Sequence, residues 1–285
     1  MNQPILYALA AMVCFGLSDF VYKRAAAASV RPDHFLMAQA WFFCPLVILY
    51  ALSTGRLILD PAAMWGCLAG ALIFLALYFF VRSLSMGSVS IVSSIFRMNF
   101  MVTALLAIFL LDEPLTALKL VGLALALVAT KLLAGAGSTF EGRRDVARQR
   151  SLVQVGIATV AMGASNVFHT FGLRHGALPE TLAVAQAACF MPLATAMVFI
   201  SERRPKLPQT AYKYGASAAI LLAAAVIFLL RAIAGGQASV LVPVAQMGFI
   251  IAALLGIFVL GERASMRKAA GLVTAVAALA VLAAS

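Results

Sequence analysis

Charge is what this 285-residue sequence has least of: Asp, Glu, Lys and Arg make up 11% of it and apolar residues 64%. A soluble domain carries about a quarter and about half, respectively, so an ordinary water-soluble fold is excluded. Long polar stretches are scarce as well. The longest, residues 135–150, is too short to fold alone, which leaves little room for a domain outside a membrane. No Gly-x-x-x-x-Gly-Lys-Ser/Thr phosphate loop occurs, so nucleotide-driven pumping within this chain is not expected. The three histidines, His34, His169 and His175, are scattered without carboxylates at catalytic or metal-ligand spacing. That argues against a membrane enzyme, and neither a metal nor a cofactor is expected. The four cysteines, Cys14, Cys44, Cys67 and Cys189, fall in apolar spans without paired spacing and read as small core residues. No basic residue precedes the first apolar run, which contains Asp19, so it reads as a retained helix and not a cleaved leader.

Apolar runs fill the sequence instead. Ten of them, 4–22, 35–53, 63–81, 89–111, 117–134, 152–173, 181–200, 212–230, 239–260 and 268–284, are each about as long as a helix crossing roughly 30 Å of hydrocarbon. A multi-pass protein of the plasma membrane (a bacterial inner membrane) is expected, with lipid around it. The formal charge of +11 does not point to nucleic acid, because it is sorted by connection. Arg56, Lys119, Arg174 and Arg231 stand alone after spans 2, 4, 6 and 8, while the odd-numbered connections hold the other Lys and Arg residues, Arg97 excepted. By the positive-inside rule both termini are expected outside the cytoplasm.

Arg97 interrupts the fourth run. In one continuous helix from Val89 it would lie about 12 Å from the start, where an exposed charge costs roughly 3 kcal/mol or more. Ser90, Ser93 or Ser94, and Arg97 recur at helical spacing, while Phe96, Phe100 and Ile108 cover other faces. Two readings follow: a polar face lining an internal cavity, or a guanidinium that snorkels to the headgroups.

The chain is also written twice. Adding 147 maps Gly16, Ser18, Pro32, Gln39, Phe43 and Pro45 onto Gly163, Ser165, Pro179, Gln186, Phe190 and Pro192. Adding 149 maps Arg82, Gly87, Ser90, Met98, Phe100, Glu113, Lys119 and Gly122 onto Arg231, Gly236, Ser239, Met247, Phe249, Glu262, Lys268 and Gly271. Alanine- and leucine-rich segments agree by chance, but shared Gln, Pro, Arg, Glu and Lys in one register do not. Each half has five spans, and because five is odd the second half enters the membrane from the opposite side. The expected fold is an all-α membrane protein: ten transmembrane helices as two inverted five-helix repeats around a central cavity. The repeats are residues 1–136 and 152–285, joined by a basic connecting loop, 137–151.

Three motifs carry a resemblance. Phe109-Leu110-Leu111-Asp112-Glu113-Pro114 ends the fourth span; Phe258-Val259-Leu260-Gly261-Glu262-Arg263, with Arg267, Lys268 and Gly271, is its counterpart; Gly16-Leu17-Ser18-Asp19-Phe20 with Lys23 opens the chain. Over nearly its whole length the chain resembles the EamA-type branch of the drug/metabolite transporter superfamily. The resemblance implies a transporter of small metabolites and makes the fifth and tenth spans peripheral struts. It also implies cytoplasmic termini, against the charge count. Asp19 stands where the family often has a neutral polar residue, as Asn166 does in the second half, and Arg97 where many members are uncharged.

Candidate substrate-binding residues are Arg97, Gln39, Gln186, Gln246, Asp19, Asn166, Tyr22, Ser94 and His169. Phe15, Ser18, Asp19 and Tyr22 share one side of the first span, as Ser165, Asn166 and His169 do in the sixth. Arg97 offers a planar fork to a carboxylate or phosphate, Gln39 and Gln246 add neutral donors, and Asp19 could hold an amine. Gating or coupling candidates are Asp19, Lys23, Pro45, Pro192, Glu113 and Glu262; a mid-helix proline kinks or hinges its helix. Blander readings stand beside these. Gln39 and Gln186 could be interhelical glue, His169 a satisfied buried histidine, Asp19 and Lys23 a mutually neutralising helix pair, and Glu113 and Glu262 structural. Gly66 and Gly70, or Gly122 and Ala126, read as close helix contacts.

The sequence therefore predicts a secondary transporter, not an enzyme, moving a small polar metabolite, anionic or zwitterionic and amino-acid-like, by alternating access. Export is favoured over uptake, and if a proton is coupled, Asp19 is the carboxylate to test. A lipid-linked carrier flippase or a membrane enzyme built on the same bundle is the alternative. Oligomeric state is left open.

Overall fold

A computed structural model describes residues 3–58, 60–86, 89–133, 145–202, 206–259 and 266–285. Among the described residues there are twelve α-helices and no strand: α1 (Gln3–Ala27), α2 (Pro32–Ser53), α3 (Met64–Met86), α4 (Val89–Arg97), α5 (Asn99–Leu110), α6 (Ala117–Leu133), α7 (Asp145–Arg174), α8 (Pro179–Ser201), α9 (Gln209–Ala234), α10 (Ala238–Gln246), α11 (Phe249–Phe258) and α12 (Met266–Ala283). Six stretches are long and apolar enough to cross a membrane as single helices; shorter apolar helices cover 95–110, 238–251 and 269–283.

Two corrections to the sequence reading follow. The runs 89–111 and 239–260 are not single helices: each breaks, at Met98 and at Met247–Gly248. Helix α7 begins at Asp145, inside the expected connecting loop 137–151, whose residues up to 144 lie outside the description.

Local chemistry explains the shared boundaries. Pro32 and Pro179 each open a helix at its first turn, after an extended residue, Arg31 or Leu178. Proline lacks the N–H that this position would leave unpaired, and its fixed φ suits the helix. The turns before them each contain a left-handed residue, Ser29 (φ 55°) and Gly176 (φ 92°), again 147 apart. At the two breaks the hydrogen bonds tighten identically. Met98 N–H donates to Ile95 O and Met247 N–H to Val244 O; Met101 N–H donates to Met98 O and Ile250 N–H to Met247 O. These i to i−3 bonds tighten the chain where one helix ends and the next starts.

Across the halves, α1 packs on α9 and α3 on α7; α2 packs on α9 and α3 on α8; α1 meets α10 and α11 as α7 meets α4 and α5. Helices α2 and α8 also pack together, and α6 packs on α12. Arg31, before α2, pairs with Glu202, after α8, while Arg231 joins Tyr50, late in α2, to Glu180, early in α8. The α2/α8 pair is therefore antiparallel. Small residues permit the closest contacts. A Cβ on Gly70 would lie 2.4 Å from Gln186 O, and one on Gly122 2.7 Å from Leu282. Helices α6 and α12 contribute Leu123, Ala126, Ala129, Ala275, Ala278 and Leu282 to an apolar cluster and line neither cavity described below, in keeping with a peripheral place.

Candidate functional site

Two adjoining cavities that share lining residues lie within the bundle. The inner one, about 180 Å³, is lined by Phe15, Ser18, Asp19, Tyr22, Gln39 and Phe43 from the first half and by Ser165, Asn166, His169, Gln186, Phe190 and Gln246 from the second, among others. The outer one, about 370 Å³, shares Phe15, Asp19, Tyr22, Leu77, Phe96, Asn99 and Gln246 with it, adds Arg97 and reaches the α1–α2 turn at Val30 and Pro32. Register explains the lining. Ser18 and Ser165, Asp19 and Asn166, Tyr22 and His169, Gln39 and Gln186, and Phe43 and Phe190 are 147 apart, so two equivalent faces meet across one space.

The two faces are satisfied differently. Tyr22 Oη donates to Gln39 Oε1 at 2.6 Å. In the second half His169 lies beside Gln186, yet neither ring nitrogen of His169 nor Gln186 Oε1 has a hydrogen-bond partner among the described residues. Both are buried, at 3% and 4% exposure. Asn99 behaves likewise: its Nδ2 donates to Phe96 O at 2.8 Å, covering a carbonyl freed at the α4–α5 break, while its Oδ1 is buried and unpartnered. A buried polar atom without a partner costs on the order of 1–3 kcal/mol, and three residues carrying such atoms line this one space. Asn166 is better tied, its Nδ2 donating to Thr103 Oγ1 at 3.2 Å.

Arg97 ends α4, next to carbonyls that favour a cation. Its Nη2 donates to Asp19 Oδ2 at 3.0 Å, and the guanidinium lies over the Phe249 ring, 5.7 Å from its centroid. Arg97 therefore lines the outer cavity and is paired there. Asp19 bonds Arg97, at the end of α4 just before the break at Met98, in place of the expected helix pair with Lys23.

Of the remaining candidates, Pro45 and Pro192 lie inside continuous helices on the exposed side, away from the cavity. Glu113 is a cap: its carboxylate accepts from Ala238 N–H at 2.8 Å and Ser239 N–H at 2.9 Å at the start of α10. Lys119, fully buried, donates from Nζ to Pro114 O and Ser239 Oγ beside it. The Ser94 side chain and Glu262 lie outside the described residues.

The sequence reading missed Asn99, and it missed an ionic cluster at the end of the bundle away from the α1–α2 turn. There Glu180 Oε1, completely buried, accepts from Arg231 Nη2 at 2.7 Å, with Tyr50 Oη on the same nitrogen and Arg56 3.8 Å away. At the opposite end Asp33, His34 and Glu202 bring three potential metal-ligand atoms within 4.8 Å of one another. Arg31 already bonds both carboxylates, which makes this an ion-paired helix junction.

Residues 2–135 match a family model, that of EamA-like transporters. Over that first half the chain is similar to EamA-like transporters. A solved crystal structure is similar over 98% of this chain and 95% of its own length, with a TM-score of 0.82 at 17% identity, a likeness of fold. No curated protein matches the sequence. EamA-like proteins are membrane transporters and not enzymes, and the several long apolar helices of this chain agree with that likeness.

Proposed function

We propose that this chain is a secondary transporter whose substrate, a small polar metabolite of anionic or zwitterionic, amino-acid-like character, occupies the cavity between the two halves. The observation that carries the reading is the set of buried, unpartnered polar atoms on His169, Gln186 and Asn99 around a space lined from both halves. A scaffold would gain nothing from them. Phe15, Phe43 and Phe190 add apolar surface for the body of the ligand.

Alternating access between two inverted five-helix repeats, 1–136 and 152–285, is the proposed mechanism. Antiparallel α2 and α8, the paired breaks 149 residues apart, and helix contacts that exchange when the halves are exchanged support it. The proposed vessel is a bacterial inner membrane, with both termini outside the cytoplasm and export as the net direction. On that orientation the outer cavity faces the cytoplasm, and the Glu180–Arg231–Tyr50 cluster closes the far end. Asp19 is the carboxylate through which a proton would be coupled.

Proteoliposomes test the reading. They would be loaded with a mixture of amino acids and small organic acids and assayed for entry of each labelled member in turn. Saturable entry of at least one is expected, lowered tenfold or more by Gln186→Leu or His169→Phe at an unchanged unfolding temperature. Entry no faster than into protein-free vesicles for every member would overturn it.

A further inference from the structure

We propose that the Asp19–Arg97 ion pair is a charge selector: a zwitterion enters by replacing it, its ammonium taking Asp19 and its carboxylate Arg97. This rests on the transport reading above and names how that site discriminates.

Three observations carry it. The pair occupies the boundary between the chambers, since Asp19 lines both and Arg97 the outer one, and each side chain keeps about a third of its surface exposed (31% and 34%). It is made through one guanidinium nitrogen and one carboxylate oxygen, which leaves donors and an acceptor for a ligand. Arg97 also rests on the Phe249 ring, a contact that holds the guanidinium in place when the carboxylate lets go.

Charge balance then sets the ligand. Among the described residues, Asp19 is the only carboxylate and Arg97 the only guanidinium in the two linings, and no lysine joins them. A ligand with one charge would take one partner and leave the other without its counter-ion, an unfavourable outcome for an ion pair broken from one side. A zwitterion exchanges one pair for two.

The internal repeat shows that the fold does not require these charges. In the second half the same two positions are Asn166 and Gln246, a neutral couple, and that half folds around the same cavity. The double variant Asp19→Asn/Arg97→Gln therefore writes the second half's chemistry into the first.

Unfolding temperature of the purified full chain, measured against matched probes, reads the selector. One set is leucine, 4-methylpentanoate, 3-methylbutylamine and 4-methylpentanamide; the other is phenylalanine, 3-phenylpropanoate, phenethylamine and 3-phenylpropanamide. The unaltered protein is expected to bind the zwitterion of at least one set tenfold or more tighter than either singly charged analogue. Asp19→Asn shifts the preference to the carboxylate, Arg97→Gln shifts it to the amine, and the double variant, with an unliganded unfolding temperature close to the parent's, loses charge preference. The proposal is overturned if the unaltered protein binds no probe, if it prefers a singly charged one, or if the single variants keep the parent's ranking. Proteoliposome entry separates the failures: a zwitterion that still crosses with the same ranking in all variants sinks the selector and leaves the transporter, while no entry of any labelled solute sinks both.

Discussion

Asp19 shows what sequence spacing can and cannot reach at the scale of one residue. Four positions from Lys23 on one helix, it reads as a local pair, yet its carboxylate bonds Arg97, 78 residues on. Helical periodicity finds neighbours within an element and is blind to partners across a bundle. The polar face holding Asp19, Tyr22, Gln39, Asn166, His169 and Gln186 was legible, because period and repeat agree on it. Asn99 was not, since it follows the break that hides it from the periodicity of Arg97. Glu180 was passed over as an acidic residue in a first helical turn, and only the fold brings Arg231 to it. That cluster yields a prediction. Arg231→Met leaves a fully buried carboxylate with only the 3.8 Å contact to Arg56, and stability should fall by about 3–5 kcal/mol. Adding Glu180→Gln should restore most of it, as read by unfolding in detergent. A loss unaffected by the second change would assign the effect to packing.

At the scale of elements, the ten apolar runs mark helical segments well because length and hydropathy suffice for that. The breaks at Met98 and Met247–Gly248 were hidden, since apolar residues continue through both. Proline stands near one break only, at Pro243, and the 149-residue offset is the signal that could have carried the inference to the other. Glycine shows why α1 crosses there. A Cβ on Gly16 would sit 2.4 Å from Gly248 O and 2.5 Å from Ile251 Cβ, so α1 touches the α10–α11 junction backbone to backbone. Gly16→Ala should force the helices apart and cost about 1–3 kcal/mol in thermal unfolding, with slower transport. Gly156→Ala, in helix α7 with nothing within 4 Å of the new Cβ, should be neutral or stabilising by about 0.5–1 kcal/mol. Equal effects at the two positions would contradict this account of the crossing.

For the whole molecule, two equivalent faces enclose one space, and the ends of the α2/α8 pair carry different ion-pair clusters. Arg31, Asp33, His34 and Glu202 hold one end, and Glu180, Arg231 and Tyr50 hold the other. The recurrence was readable because Gln, Pro and Glu recur in register; these clusters were not, because Arg31 meets Glu202, and Arg231 meets Glu180 and Tyr50, only once helices far apart in sequence pack together. The central claim is that the cavity opens to either side of the membrane in turn. The most direct measurement places one cysteine at position 186, in a chain whose four native cysteines are replaced, and adds a membrane-impermeant maleimide to one face of sealed vesicles at a time. The account predicts labelling of the same population from both faces, slowed by a bound substrate. Labelling from neither face, or from one face only, would contradict it.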